Sequence, residues 1–158
     1  MKKIFWTLLM AVTLLSCNQQ KEKGTAREGM VIDSTVPACC AKDGILIHIS
    51  SGYGNSHKVL MALKMALMMS KDKDVLLYLD IDAVKLVLKD SKDLKFDEFP
   101  TLKELLQQLI AAKVMIMACP TCLKIAGKSE TDLIPGVVVA RKDAFFSFTK
   151  GRIVTLDY

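Results

Sequence analysis

The chain has 158 residues, 51% of them hydrophobic and 25% charged, which fits a single domain. Its formal charge of +5 falls to +3 without Lys2 and Lys3, so the remainder is only mildly basic and makes no case for a nucleic-acid partner. No hydrolase triad, phosphate loop or catalytic carboxylate pair stands out.

Lys2 and Lys3, the apolar run Ile4 to Leu15 and the small residue Ser16 describe a secretory signal over residues 1–16. The run is too short for a spanning helix. Leu14-Leu15-Ser16-Cys17 resembles a bacterial lipobox, which makes Cys17 the expected lipid anchor and places the protein in the bacterial cell envelope, on the inner or outer membrane facing the periplasm. Residues 17–43 then read as the lipidated cysteine and a polar tether, because Asn18 to Pro37 has little apolar content and no period.

Export puts Cys39, Cys40, Cys119 and Cys122 where disulfides persist, and four cysteines allow three pairings. Cys39 and Cys40 precede the first strand, so a parallel sheet starts them at the edge opposite Cys119.

The domain is expected over residues 44–158. Ile45 to Ile49 is an apolar, β-branched strand, with His48 read as a packed core residue. The loop Ser50-Ser51-Gly52-Tyr53-Gly54-Asn55-Ser56 leads to a helix that Asn55 or Ser56 would cap. Its two glycines match a dinucleotide fingerprint only weakly. Ser50, Ser51, Gly52, Tyr53, Asn55 and His57 are candidate walls of any site at that sheet edge.

The helix from Ser56 to Ser70 is apolar nearly all round, with only Lys58 and Lys64 on a polar face, and so asks for cover on several sides and suggests a subunit interface. Val75 to Leu79 is a second strand. It runs into Asp80-Ile81-Asp82, whose aspartates end a strand at the expected active edge, where a metal or base role is open to them, but read more simply as N-caps for Ala83 to Leu88. Thr101 to Ala112 is an amphipathic helix with Leu102, Leu105, Leu106, Leu109 and Ile110 on one face.

The chemistry concentrates after it. Val114 to Ala118 is an uncharged run of strand type, followed by Cys119-Pro120-Thr121-Cys122 and a short helix closed by Gly127. With Cys119 at the N-cap and Pro120 in the first turn, the free N–H groups favour thiolate at whichever sulfur faces them. A structural zinc needs four ligands, and no second Cys-x-x-Cys or His pair lies at suitable spacing. Cys39 and Cys40 with Cys119 and Cys122 leave a soft-metal alternative. Val137 to Ala140 and Arg152 to Leu156 are the remaining strands. Alternating strands and helices, with strands apolar throughout, give an α/β fold with a mainly parallel sheet of about five strands covered on both faces.

The Met-x-Met-Ala-Cys119-Pro-Thr-Cys122-Leu-Lys-x-x-Gly127 segment, with Asp132-Leu-Ile-Pro-Gly136-Val following, resembles the DsrE/DsrF-like (YchN-like) family over Gly44 to Tyr158. The resemblance implies a three-layer α/β/α domain assembled as trimers or hexamers. It also implies a cysteine at the position of Cys119 that carries sulfur as a persulfide to a thiol or sulfur-transfer partner, with no cofactor. Cys122 and the expected export depart from the family's cytoplasmic relay members, and a second thiol within reach can resolve a persulfide or close a disulfide. The expected activity is therefore sulfur or thiol handling through Cys119, by persulfide or by a dithiol relay with Cys122. The alternative is a non-catalytic metal-binding or structural oligomer.

Overall fold

A computed structural model describes residues 41–158; Cys17, Cys39 and Cys40 lie outside the described residues. Five strands, β1 (Gly44–Ile49), β2 (Asp74–Leu79), β3 (Met115–Ala118), β4 (Val137–Val139) and β5 (Ile153–Asp157), form one all-parallel sheet in the order β4-β3-β2-β1-β5. Four helices connect them: α1 (Ser56–Met69), α2 (Leu102–Ala111), α3 (Pro120–Ile125) and α4 (Lys142–Phe146), and a 3₁₀ segment Ile81–Val87 follows β2.

The strand order decides which face each helix covers. The steps from β1 to β4 all run in one direction, so right-handed crossovers put α1, α2 and α3 on the same face. The return from β4 to β5 runs the other way and puts α4 on the opposite face. The layers are three and unequal.

On the first face the alternate residues Ile47, Ile49, Leu77, Leu79, Ile116 and Ala118 are buried against Val59, Leu60 and Leu63 of α1 and Leu102, Leu105 and Leu109 of α2. Burying each such side chain contributes about 1.5–3 kcal/mol, which makes this face the main source of stability. Asn55 caps α1 by accepting from the Lys58 N–H at 3.2 Å, and Thr101 opens α2 in a capping box with Glu104. The sheet and α2 together cover most of α1, so much of its apolar surface is satisfied within the chain; Met68 stays exposed.

The second face carries Leu46, His48, Leu76, Tyr78, Met115 and Met117. Among the described residues its helical cover is α4, whose Phe145 meets Tyr78 edge-on at 5.2 Å. Met115, Val138 and Ile153 on this side, and Phe146 of α4, stay exposed. No helix among the described residues is long and apolar enough to cross a membrane.

Candidate functional site

All parallel strands end at one edge, and that edge gathers the chemistry. Cys119 follows β3 as the N-cap of α3, with φ −63° and ψ 121°, and Pro120 occupies the first helical position. Proline's fixed φ suits that position and its missing N–H leaves no bond unmade. Cys119 and Cys122 are both unoxidised and half-buried.

The two sulfurs sit in opposite environments. Burial works against a thiolate at Cys119, but the Tyr78 hydroxyl, the backbone of Cys122 and Thr121 and the Cys122 thiol beside it favour the charged form and bring its pKa below the ordinary thiol value. Cys122 moves the other way. Burial pushes it up, and the neighbouring Cys119 thiolate and Asp80 add to that, although the Ile81 N–H donates to its sulfur from 3.1 Å. Tyr78 is itself pushed far up, first by burial and then by its bond to Cys119, so it stays a neutral donor. The arrangement offers one nucleophilic sulfur and one protonated sulfur beside it.

Ile81 presents that N–H from φ +46°, a left-handed backbone that a β-branched side chain rarely adopts. Strain of this kind, roughly 1–3 kcal/mol, collects at functional positions.

The same edge holds a charged group that the sequence reading did not assemble. His48 stands between two carboxylates, with Nδ1 2.8 Å from Asp157 Oδ1 and Nε2 2.9 Å from Asp80 Oδ2. The first is a well-formed hydrogen bond. The second is an ion-pair contact whose alignment is poor, and it leaves His48 Nε2 and Asp80 Oδ1 buried without a hydrogen-bond partner among the described residues. Burial lowers the affinity of His48 for its proton, yet the two carboxylates outweigh it and raise its pKa above 6.5.

Two sequence readings are corrected here. His48 is a half-exposed member of an ion-pair group rather than a packed core residue, because its register position faces Asp157 on the edge strand β5. Asp80 occupies the N-cap position of the 3₁₀ segment but makes no capping hydrogen bond, since its carboxylate is turned to His48. Asp82 pairs with Lys85 at 2.6 Å.

The candidate walls divide. Ser50 ties the end of β1 to the C-terminus, its N–H donating to the Tyr158 carbonyl at 3.0 Å. Gly52 abuts the 3₁₀ segment so closely that a Cβ there would lie 2.8 Å from the Asp82 Cβ. Ser51, Gly52, Tyr53, Gly54 and Asn55 line an open groove of about 340 Å³ with Asp82 and Lys85, one residue along from Ile81. The Tyr53 hydroxyl donates to the Lys92 carbonyl at 3.2 Å. His57 stacks on Phe96 at 4.5 Å and meets Phe99 edge-on, so its ring is taken up by the segment before α2.

Tyr78, Ile81 and Asp157 were the residues missed, while His48 and Asp80 were read as core and cap. One signal was available: His48, Tyr78 and Asp157 are each the fifth residue of their strands, and in-register parallel pairing puts them side by side. Among the described residues no three His, Cys, Asp or Glu side chains are grouped as metal ligands.

Residues 43–150 match the sequence profile of the DsrE/DsrF-like family. An uncharacterized protein of Methanopyrus kandleri is 32% identical over 109 residues, covering 68% of this chain and 88% of that protein. The crystal structure of the ychN protein from E. coli superposes with a TM-score of 0.57 at 24% identity, covering 73% of this chain and 99% of that one. A protein of unknown function from Methanobacterium thermoautotrophicum gives a TM-score of 0.51 at 12% identity, with the same coverage. At these identities the two structures speak for the fold alone.

Proposed function

The chain belongs to the DsrE/DsrF-like family, and from that premise we propose that it handles sulfur or thiols through Cys119, with Cys122 as the resolving thiol. The observation that carries the reading is the opposed tuning of the two sulfurs, Cys119 toward thiolate and Cys122 toward thiol. A thiolate attacks and a neighbouring thiol resolves, which is the division of labour that a persulfide carrier or a dithiol relay needs.

In the persulfide form, the Cys119 thiolate takes the outer sulfur of a donor persulfide and releases the donor thiolate; Cys122 can then attack the Cys119 sulfur and expel hydrosulfide as the disulfide closes. In the dithiol form, the same two steps reduce a partner disulfide to two thiols while Cys119 and Cys122 are oxidised. The half-exposed sulfurs suit a macromolecular thiol partner.

The proposal includes an anchored, self-associated form. Cys17 carries the lipid in the cell envelope, and exposed Met115, Val138, Ile153 and Phe146 supply an apolar face for a homotrimer or hexamer. A soft-metal reading needs donors beyond the Cys119 and Cys122 pair, and its further candidates, Cys39 and Cys40, lie outside the described residues.

The test is the alkylation rate of the reduced, metal-free full chain against pH, with each cysteine changed to serine in turn. One fast thiol, lost in Cys119→Ser and retained in Cys122→Ser, is the expected result. Uniformly slow thiols that titrate near about 8.5 would sink the reading.

A further inference from the structure

Cys122 enters the cycle protonated, and a thiol has to lose its proton before it attacks. We propose that Asp80 takes that proton, and that His48 and Asp157 are positioning residues that hold the Asp80 carboxylate for the purpose. The inference rests on the dithiol reading and goes beyond it by naming the proton acceptor.

Placement comes first. The N–H that touches the Cys122 sulfur at 3.1 Å belongs to the peptide bond between Asp80 and Ile81, so covalent geometry alone keeps the Asp80 Cα within about 5.5 Å of that sulfur. The Asp80 charge is felt at the Cys122 thiol, whose pKa it helps to raise, and over such a span a proton passes directly or through one water. The strained backbone of Ile81 is part of the same placement.

The state of the carboxylate comes second. Its side chain is 19% exposed, Oδ2 meets His48, and Oδ1 is buried with no hydrogen-bond partner among the described residues. An orphaned buried acceptor costs roughly 1–3 kcal/mol, which a proton or a thiol donor relieves. Asp157 grips the far nitrogen of His48, so the ring is held with its other nitrogen against Asp80.

The other candidate bases and donors at this end of the sheet are already engaged. The Tyr78 hydroxyl serves Cys119, His57 is stacked on Phe96, Asp82 is tied to Lys85, and Asp157 is exposed and bonded to His48. Asp80 is therefore faced by His48 from β1, Tyr78 from β2 and the Cys122 thiol from α3, with Asp157 behind His48 and the Asp82 and Lys85 pair two residues along.

The step is readable with a chromogenic aromatic disulfide, dithiobis-nitrobenzoate. The Cys119 thiolate attacks one of its sulfurs, forming a mixed disulfide and expelling one thionitrobenzoate. Cys122 then gives its proton to Asp80 and attacks the Cys119 sulfur, closing the Cys119–Cys122 disulfide and expelling the second. One disulfide is reduced, one dithiol is oxidised, and Asp80 returns the proton to solvent.

Stopped-flow on the full chain separates the two releases. Asp80→Asn should leave the first within about twofold and slow the second by about 100-fold or more near neutral pH, the usual worth of a positioned base being about 100- to 10,000-fold. Asp80→Glu should recover part of that loss. A purely electrostatic role predicts the reverse, because removing a negative charge favours the Cys122 thiolate; a second release that is unchanged or faster in Asp80→Asn overturns the proposal. The unmutated protein gives an answer that needs no variant to fold. Its second release should level off across neutral pH, whereas a rate proportional to hydroxide throughout overturns it. Absence of a fast first release defeats the dithiol reading itself, while a normal first release with an unaffected second defeats only the role of Asp80.

Discussion

The Ile81 N–H and the Cys122 sulfur are 3.1 Å apart, and Ile81 holds φ at +46° in presenting that donor. A left-handed conformation costs an L-residue about 1–2 kcal/mol, while glycine forfeits about 0.5–1 kcal/mol in the unfolded chain. The Ile81 side chain is 62% exposed, so little packing is lost on removing it. Ile81→Gly should therefore raise stability by up to about 1 kcal/mol, read as a higher urea midpoint. A midpoint lower than that of the parent would show that the backbone there is not strained.

The Tyr78 hydroxyl favours the Cys119 thiolate, and phenylalanine would keep its ring against Phe145 while removing that hydroxyl. A hydrogen bond to a charged acceptor contributes about 1.5 kcal/mol or more, which corresponds to roughly tenfold in thiolate population. Tyr78→Phe should slow Cys119 alkylation near neutral pH about tenfold with the fold intact by circular dichroism. An unchanged rate would mean that the backbone N–H groups alone hold the thiolate.

His48 has its pKa raised above 6.5 when folded, so its two carboxylate contacts stabilise the protein fully below about pH 6.5. That contribution is lost as pH rises through the folded value. His48→Gln should cost about 1 kcal/mol near pH 6, a figure reduced for the 30% exposure of the side chain, and the deficit should shrink as the solution is made alkaline. Urea midpoints of both proteins across that range decide it; a deficit that grows with pH refutes the ion-pair account.

At the opposite sheet edge, Gly151 lies so close to the start of β1 that an added Cβ would overlap the Lys42 carbonyl oxygen and come 2.7 Å from its carbon. Backbone cannot step aside as a side chain can. Gly151→Ala should destabilise by about 2 kcal/mol or more through loss of β5 pairing. Amide exchange in Ile153–Asp157 is the local check, and unaltered protection there would contradict it.

The two cysteines sit at a strand-to-helix corner because residues next to them in sequence dictate it: the uncharged run Met115 to Ala118 makes a strand buried from Ile116 onward, and Pro120 suits the first position of a helix. A mainly parallel sheet was legible for the same reason, each strand announcing itself by its own apolar run; that all five strands are parallel came from the structure. His48, by contrast, looked like core because its neighbours in sequence are core. What set it apart was the position of β5. Nothing in Ile153 to Asp157 says whether that strand extends the sheet beside β4 or doubles back to pair with β1, and only the second brings Asp157 to His48.

By itself, then, the sequence determined the element types, the parallel α/β architecture and the Cys-Pro-Thr-Cys corner, since propensity, apolar patterning and proline stereochemistry act over a few residues. Tertiary structure decided the roles at the corner. The separation of Cys119 from Cys122 depends on Tyr78 and Ile81, reached through the pairing of β2 with β3, and the carboxylate group depends on the order β2-β1-β5. Such differences arise from distances of a few ångströms between residues far apart in the chain, and those distances exist only once the strands have paired.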